Sequence, residues 1–237
     1  MEIAPETEAR LRALVDEVLR VNQQFNLTAI RNPDEAWPKH VLDSLQALQT
    51  GYCEGRKALI DVGSGPGFPG LALAIARPDL KVTLLESTRK KCDFLRATIA
   101  QLAIGAKVLN ERAEVTGQNR VWRERFDVVT ARAVGSIGEI CELTLPLAKV
   151  GGHIILWRGQ RAPEEIKAAQ SVLKTLGGVC RKTLPYQLPG HEMIYNLVVI
   201  EKNARNPPQF PRSEGLPKHD PLCVLGPQEK SLETEPK

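Results

Sequence analysis

One stretch of the chain constrains the fold more than any other, a glycine-rich loop between a short apolar run and a helical pattern. The loop reads Asp61-Val62-Gly63-Ser64-Gly65-Pro66-Gly67-Phe68-Pro69-Gly70 and begins as the apolar run Ala58–Val62 ends. Glycines permit positive backbone φ angles and the close approach of a ligand to the backbone. In open α/β sheets, ligands bind at the carboxyl ends of the strands, where such loops lie. The loop therefore predicts a ligand site at the edge of an α/β sheet.

The rest of the chain alternates between strand and helix patterns in the way that such a sheet requires. The last two apolar runs are separated only by a turn around Pro189-Gly190, which predicts an antiparallel pair. We therefore predict a doubly wound, mostly parallel, seven-stranded Rossmann-like α/β sheet that ends in an antiparallel hairpin. The predicted strands are 58–62, 81–85, 106–109, 126–130, 153–157, 179–187 and 193–201, and helices are predicted over 88–103, 137–149 and 163–176.

The two ends of the chain differ from this core. Residues 6–21 place apolar side chains on one face of an amphipathic helix, and residues 34–49 look helical again, with a bend near Pro38. The chain after Asn203 is rich in proline and charge and has no periodic pattern. We predict an N-terminal helical extension (1–50) packed on the core, a ligand-binding domain (51–203) and an irregular or disordered tail (204–237).

Composition limits the classes of function. The chain has 237 residues, of which 42% are hydrophobic and 25% charged, and this suffices for one folded core. Its formal net charge of +4 permits a polyanionic partner without requiring one. None of the five cysteines has C-x-x-C spacing, so we predict neither a metal site nor a disulfide framework. We expect a cytoplasmic monomer without a membrane segment.

Two kinds of ligand fit the glycine loop. Its second half, Gly65–Gly70, matches the G-x-G-x-x-G pattern of dinucleotide sites, but Asp61 stands two positions before the first glycine, Gly63. Methyltransferases of this fold have the pattern acidic-x-Gly-x-Gly-x-Gly. A carboxylate suits the cationic amino end of S-adenosylmethionine, whereas an anionic pyrophosphate binds bare amides. The pattern favours S-adenosylmethionine, and a nicotinamide dinucleotide remains the alternative.

Three other predicted strand ends supply candidate contacts to this donor. A carboxylate at the end of the second strand can accept hydrogen bonds from the ribose hydroxyls. An acidic residue after the third strand lies where this fold usually contacts adenine, with an exposed acidic turn as the alternative. An arginine ending the fourth strand can orient the donor carboxylate or hold a substrate phosphate. In chain order, these residues are Glu86 with Ser87 and Thr88, Ala113 with Glu114, and Arg132.

Two motifs that the sequence lacks narrow the choice of the atom that accepts the methyl group. None of the five cysteines follows a proline, as the nucleophile for methylation at cytosine carbon 5 commonly does. The run Asn206–Phe210 resembles the turn that serves exocyclic amines, but it has an extra residue and follows the last predicted strand. A ring nitrogen with a free lone pair, such as guanine N7, needs no base, because position and electrostatics suffice. We therefore predict no particular catalytic residue.

Basic residues concentrate near the predicted ligand edge, where they could follow an RNA backbone. For any one of them, a solvated helix face is the alternative. The set is Arg89, Lys90, Lys91, Arg96, Arg112, Arg120, Arg123 and Arg125, with Trp122 and Phe126 among them.

Four segments together resemble the RsmG (GidB) family of bacterial methyltransferases. They are Asn26–Arg31, His40–Leu45, Asp61–Gly70 and Phe126–Ala133, and the resemblance extends over residues 10–201. It implies a class I methyltransferase fold and an enzyme that methylates N7 of one guanine in 16S ribosomal RNA, free or in the ribosomal subunit. A small-molecule methyltransferase remains the alternative.

The resemblance also implies roles for individual residues. Of the N-terminal polar residues, Asn26 and Arg31 either shape the guanine pocket or pack the helices, and for His40 and Asp43 we favour packing. The chain departs from the family at Trp157-Arg158-Gly159, where many members have Leu-Lys-Gly. The implied donor site includes Gly63, Phe68, Glu86, Ser87, Thr88, Ala113, Glu114 and Arg132, to which the loop pattern adds Asp61 and Gly65.

Overall fold

A seven-stranded sheet runs through the chain in the order β3-β2-β1-β4-β5-β7-β6 in the computed structural model. Strands β1 to β5 are parallel, and β7 is antiparallel to both β5 and β6. The predicted doubly wound sheet with a C-terminal hairpin is confirmed. The strands are β1 Ala58–Val62, β2 Lys81–Glu86, β3 Ala106–Asn110, β4 Phe126–Arg132, β5 Ala148–Arg158, β6 Gly178–Gln187 and β7 Ile194–Lys202.

The structure describes residues 3–132 and 135–224. The end of the family segment at Ala133 lies outside these ranges, as do residues 225–237 of the predicted tail. Within the described ranges, no helix has the length and apolar character needed to cross a membrane. The α-helices are α1 Pro5–Asn22, α2 Pro33–Ala36, α3 Asp43–Leu45, α4 Gly70–Ala76, α5 Arg89–Gln101, α6 Ala113–Gln118, α7 Ile137–Thr144, α8 Ala162–Ala168, α9 Gln170–Thr175 and α10 Leu216–His219.

Both faces of the sheet are buried, and neighbouring residues of one strand serve opposite faces. Leu59 belongs to the core under α1, α4 and α5, whereas Ile60 belongs to the core under α7 and α9. Leu84 and Leu85 divide in the same way. Side chains alternate along a strand, so a sheet covered on both sides requires the continuous apolar runs that the sequence contains.

Residues 33–50 form one helical run in four parts instead of one bent helix. After α2 comes a π-helical turn, Trp37–Leu42, and after α3 a 3-10 turn, Gln46–Thr50. Pro38 has no backbone N–H, so an α-helical hydrogen bond is missing there, and the wider π turn accommodates the break. This turn directs the buried side chains of His40 and Asp43 towards the edge of the sheet that carries the glycine loop.

Other boundaries differ from the prediction for local reasons. The helix predicted over 163–176 is divided at Ala169 into α8 and α9. The helix predicted over 137–149 ends at Thr144, two residues before Pro146, which restricts a helix. Strand β5 starts at Ala148, because that residue already pairs with Phe126 of β4.

The described part of the tail is irregular apart from α10, but it is packed against the domain. The guanidinium of Arg123 donates hydrogen bonds to the carbonyl oxygens of Asn206, Pro207 and Phe210 at 3.2, 3.1 and 2.6 Å. Proline-rich segments lack the regular backbone pairing of helices and strands, and here a half-buried guanidinium supplies the partners instead. The tail therefore returns across the domain after β7.

Candidate active site

The glycine loop lies at the carboxyl end of β1 and is hydrogen-bonded to the neighbouring strand β2. The backbone N–H groups of Gly63 and Ser64 donate to the carbonyl oxygen of Leu85 at 2.9 and 3.1 Å. Gly67 has a φ of +101°, and a Cβ atom there would lie 2.5 Å from Cδ1 of Leu71. A larger residue would push the loop away from α4, so glycine is required for this close packing.

Asp61 lies under the loop and not on its ligand-facing surface. Its side chain is fully buried, with Oδ1 accepting from the Thr130 hydroxyl at 2.8 Å and Oδ2 from the Gly70 amide at 3.2 Å. Burial raises the pKa of Asp61 to about 6, although these hydrogen bonds oppose the rise. The carboxylate is therefore turned towards the underside of the loop and lines neither cavity, and its contact with the donor's ammonium stays a prediction. Asp61 fixes the position of the loop and of α4.

The Glu86 carboxylate at the end of β2 is held by two backbone amides. Its Oε2 accepts from the N–H of Gly65 at 3.0 Å, and its Oε1 from the N–H of Thr88 at 2.8 Å. The Asn110 amide donates to the carbonyl oxygens of Glu86 and Ser87, which ties β3 to this strand end. The carboxylate is thus fixed beside the glycine loop, with lone pairs available to a ligand hydroxyl.

A small cavity of about 130 Å³ brings together the acidic strand ends. Glu114 is buried here and accepts from Arg112 and from the Gly215 amide, both at 2.9 Å. Burial opposes ionisation of Glu114, but these hydrogen bonds outweigh it and lower its pKa. Of the predicted donor residues, this cavity is lined by Gly63, Glu86, Ser87, Ala113 and Glu114.

A larger cavity of about 620 Å³ lies on the other side of the glycine loop. It contains three further predicted donor residues, Gly65, Phe68 and Arg132. Gly63 lines both cavities, so they meet at the loop. Thr88 and Asp61 are absent from the described linings of both cavities, and each instead holds a neighbouring group in place.

Arg132 connects the end of β4 to the N-terminal helical run. Its Nη1 donates to the Lys39 carbonyl oxygen at 2.9 Å and to Asp43 Oδ2 at 2.8 Å, and its Nη2 lies 3.3 Å from Nδ1 of His40. The guanidinium carbon is also 5.9 Å from the centre of the Phe68 ring. Arg132 is therefore oriented by the protein itself, with part of its surface left at the cavity wall.

Asp43 is a junction for which sequence reasoning favoured a packing role but did not identify the partners. Its carboxylate accepts from Arg132 and from the Tyr186 hydroxyl, and its backbone carbonyl accepts from Trp157 Nε1 at 2.8 Å. Its packing role is thus visible, and Asp43 also lines the larger cavity. Trp157 is the residue at which this chain departs from the common Leu-Lys-Gly. Of the two partners, Trp157 was marked in the sequence only by that departure, and Tyr186 had no signal.

The His40 ring forms part of the cavity wall. It stacks on Phe68 with ring centres 4.6 Å apart and planes inclined by 3°. Burial and, to a smaller extent, the charge of Arg132 lower the pKa of His40 to about 3. A neutral imidazole whose Nδ1 accepts from Arg132 places its proton on Nε2, 3.3 Å from the Thr28 hydroxyl. His40 therefore remains uncharged at neutral pH.

The basic residues predicted near the ligand edge are divided between two ends of the sheet. Lys91 lines the larger cavity, together with Lys39. Arg120, Arg123 and Arg125 precede β4, so they lie at the amino ends of the strands, opposite the glycine loop. Placing these three at the ligand edge was wrong, and Arg123 is occupied by the tail. Trp122 and Phe126 stack on each other at the same opposite end, with ring centres 6.2 Å apart.

Solved structures with low sequence identity share this fold. The branched-chain polyamine synthase of Thermus thermophilus, solved with N4-aminopropylspermidine and 5′-methylthioadenosine, has a TM-score of 0.59 and 13% identity, covering 83% of this chain and 65% of its own. A methyltransferase candidate from Bacillus halodurans has a TM-score of 0.54 and 14% identity, covering 69% of this chain and 100% of its own. At such identities the likeness establishes the fold alone, which is that of class I methyltransferases.

Sequence relatives are much closer. The ribosomal RNA small subunit methyltransferase G of Lactobacillus delbrueckii subsp. bulgaricus is 41% identical, covering 93% of this chain and 94% of the relative. The proteins of that name from Chloroflexus aggregans and Deinococcus radiodurans are 43% and 40% identical, covering 90% and 94% of this chain and 90% and 88% of the relatives. Residues 7–187 match the family described as GidB, rRNA small subunit methyltransferase G. The chain belongs to this GidB family.

Proposed function

We propose that this chain transfers the methyl group of S-adenosylmethionine to N7 of a guanine in small-subunit ribosomal RNA. The observation that carries the proposal is the meeting of two cavities at Gly63, at the carboxyl ends of the strands. A donor lying across the loop would have its adenosine in the smaller cavity and its sulfur at the larger one. Ribosomal RNA is favoured as the acceptor because the relatives of high identity are named for it.

The residues of the smaller cavity fit an adenosine. Glu86 offers carboxylate oxygens to the ribose hydroxyls. Glu114 and Ala113 lie where they would form hydrogen bonds with the edge of the adenine ring. The polyamine synthase of the same fold binds 5′-methylthioadenosine, which supports this assignment. The donor, when bound, supplies an activated methyl group on a positively charged sulfur. The glycine loop would hold it through backbone amides, and Asp61 would fix the loop.

The larger cavity suits an acceptor that carries no proton. His40 is neutral because burial lowers its pKa to about 3, and burial beside Asp43 raises the pKa of Tyr186 far above neutrality. Neither group gains or loses a proton near neutral pH. A guanine N7 presents a lone pair, so methyl transfer requires alignment of the lone pair with the donor sulfur and no base. Residues at this cavity would therefore act by position.

The cavity wall also carries charges that fit RNA phosphates. Lys39 and Lys91 line it, and the N-terminal run forms one side of it. We propose that residues 51–203 hold the donor, that residues 1–50 complete the acceptor pocket, and that the protein acts as a cytoplasmic monomer on ribosomal RNA or the subunit.

The test is transfer of radiolabelled methyl from S-adenosylmethionine to small-subunit RNA from cells that lack this gene, followed by nucleoside analysis. We expect 7-methylguanosine at one site. Label on another base atom would refute the N7 assignment. Label only on small molecules would favour a metabolite methyltransferase, and binding of NAD without binding of S-adenosylmethionine would favour an oxidoreductase.

A further inference from the structure

The tail segment that follows β7 is anchored at two points on α7, a helix next to the smaller cavity. The Arg212 side chain meets the Glu142 carboxylate through Nη2 at 2.8 Å and Nε at 2.9 Å, and the Arg212 amide donates to the same carboxylate at 2.8 Å. Glu142 is fully buried in α7. A Cβ at Gly138 would lie 2.5 Å from the backbone nitrogen of Cys223, so the tail also lies directly on α7 further along.

Between these anchors the tail reaches the residues expected to bind adenosine. The Gly215 amide donates to Glu114 Oε1, and the Glu214 carboxylate lies 3.3 Å from Nε of Arg112. Lys218, in α10, lines the smaller cavity beside Glu86 and Glu139. Two residues of one short segment thus contact side chains that line this cavity, and a third residue lines it directly.

We propose that residues 212–219 form the outer wall of the adenosine pocket and that Lys218 is a further donor-binding residue. This inference rests on the proposed function, since it takes S-adenosylmethionine as the donor. It adds to the expected strand-end contacts a segment whose sequence has no periodic pattern and which the sequence assigned to an irregular or disordered tail.

The charges of the cavity explain why a lysine is suited to this position. Four carboxylates line the cavity, those of Glu86, Glu111, Glu114 and Glu139, against two cations, Arg112 and Lys218. Arg112 is paired with Glu114 and Glu214, whereas Lys218 makes no ion pair within the described residues. Its ammonium has three protons to donate, and adenine ring nitrogens and ribose oxygens are acceptors. Lys218 would therefore supply hydrogen bonds that the acidic lining cannot.

The experiment uses the full chain and measures binding of S-adenosylhomocysteine and of adenosine by calorimetry. Lys218→Ala removes the ammonium from an exposed position, so the fold should be kept. Gly215→Pro removes the amide that holds Glu114 and cannot adopt the φ of +79° found there. The matched control is Lys174→Ala, an exposed lysine of α9 that does not line the cavity. Circular dichroism and thermal melting check that each variant is folded.

We expect Lys218→Ala to weaken both ligands by about tenfold, the effect of losing one hydrogen bond from a charged group. Both ligands should lose the same factor, because the adenosine is what they share. Gly215→Pro should weaken them at least as much, and Lys174→Ala should bind like the unmodified chain. In the unmodified chain, S-adenosylhomocysteine should also slow amide hydrogen exchange over residues 212–219.

Each other outcome refutes a specific part. If the unmodified chain binds S-adenosylhomocysteine while both tail variants bind it equally well and exchange over 212–219 is unchanged, the wall is refuted and the proposed function stands. If only Gly215→Pro weakens binding, the wall stands and the role of Lys218 is refuted. If the unmodified chain binds no S-adenosylhomocysteine, the proposed function itself fails, and the inference fails with it.

Discussion

Arg132 and Asp43 form a salt bridge of 2.8 Å between the end of β4 and the N-terminal helical run, with side chains only 13% and 10% exposed. Because Asp43 also binds Trp157 of β5 and Tyr186 of β6, one residue links the N-terminal run to three strands. The wall of the larger cavity is therefore built from segments far apart in sequence.

Loss of either partner of this salt bridge should destabilise the protein strongly. Removing one leaves a largely buried charge without its partner, at a cost of about 3–5 kcal/mol. We expect Arg132→Met and Asp43→Asn each to lower the free energy of unfolding, and the double variant to cost clearly less than the sum. Urea denaturation of the four proteins measures this. The exposed pair Arg96–Asp93, with side chains 48% and 60% exposed, serves as the control and should show almost no coupling. Additive effects at Arg132 and Asp43 would contradict the linking role.

Asp61 should make stability fall as pH rises. Its pKa in the folded chain is about 6, above its ordinary value of 3.8, so between these values the unfolded chain ionises first. The resulting loss in the free energy of unfolding starts near pH 4, levels off above about pH 6 and reaches about 3 kcal/mol. Asp61→Asn removes this ionisation while keeping two polar atoms for Thr130 and Gly70. We expect the stability of the variant relative to the unmodified chain to rise by about 1 kcal/mol between pH 5 and pH 8 in urea denaturation. A constant difference would show that Asp61 ionises normally.

His40 should have the opposite effect. Burial and Arg132 lower its pKa from 6.5 to about 3, so below pH 6.5 the unfolded chain takes up a proton that the folded chain does not. Stability is therefore lost as pH falls, by about 2 kcal/mol between pH 7 and pH 5 relative to His40→Gln. The imidazole resonances of His40 should stay constant over this range. A titration midpoint near 6.5 would contradict the neutral, stacked ring.

Glu86→Gln should weaken donor binding without unfolding the chain. The glutamine side chain keeps one oxygen that can accept from the backbone amide of Gly65 or of Thr88. Its NH₂ group then faces the second backbone amide, so the side chain no longer presents a fixed carboxylate to the ribose hydroxyls. We expect S-adenosylhomocysteine to bind about 10–100-fold more weakly in calorimetry. Glu164→Gln, in α8 with a side chain 64% exposed, is the control and should bind normally. Unchanged affinity in Glu86→Gln would remove Glu86 from the donor site.

The two ends of the sheet should differ in their effect on RNA. Lys91 lines the larger cavity, whereas Arg125 lies at the opposite end. Lys91→Ala should weaken binding to small-subunit RNA and reduce the slope of log affinity against log salt by roughly one, as expected for one lost phosphate contact. Arg125→Ala should leave both unchanged. Equal losses in the two variants would mean that RNA covers both ends.

The sequence predicted the sheet because its signals are local. The continuous apolar runs of buried strands, as at Leu59 and Ile60, are written in a few consecutive residues, and the loop glycines are needed for positive φ angles and close packing. The junction at Asp43 was not predictable in this way. Its partners Trp157 and Tyr186 are 114 and 143 residues away, and nothing in a periodic pattern encodes such pairings.

The type of a residue also did not show which part of the structure that residue contacts. Asp61 has the acidic character of a donor contact, yet the pleat of β1 places it beneath the loop, where its oxygens bind Thr130 and Gly70. Arg123 looked like part of an RNA surface, but its position just before β4 puts it at the other end of the sheet. In both cases the position of the residue relative to its strand, and not the chemistry of the side chain, decided what the residue contacts.

Because the tail follows β7 in the chain, its contacts can form only after all seven strands have been synthesised. During synthesis from the amino end, all seven strands leave the ribosome before Arg212 and the residues that follow it. The sheet can thus be complete while Glu142 is still without its guanidinium partner and the smaller cavity still lacks the contacts of residues 214–218. The nascent chain can therefore complete its sheet before its pocket.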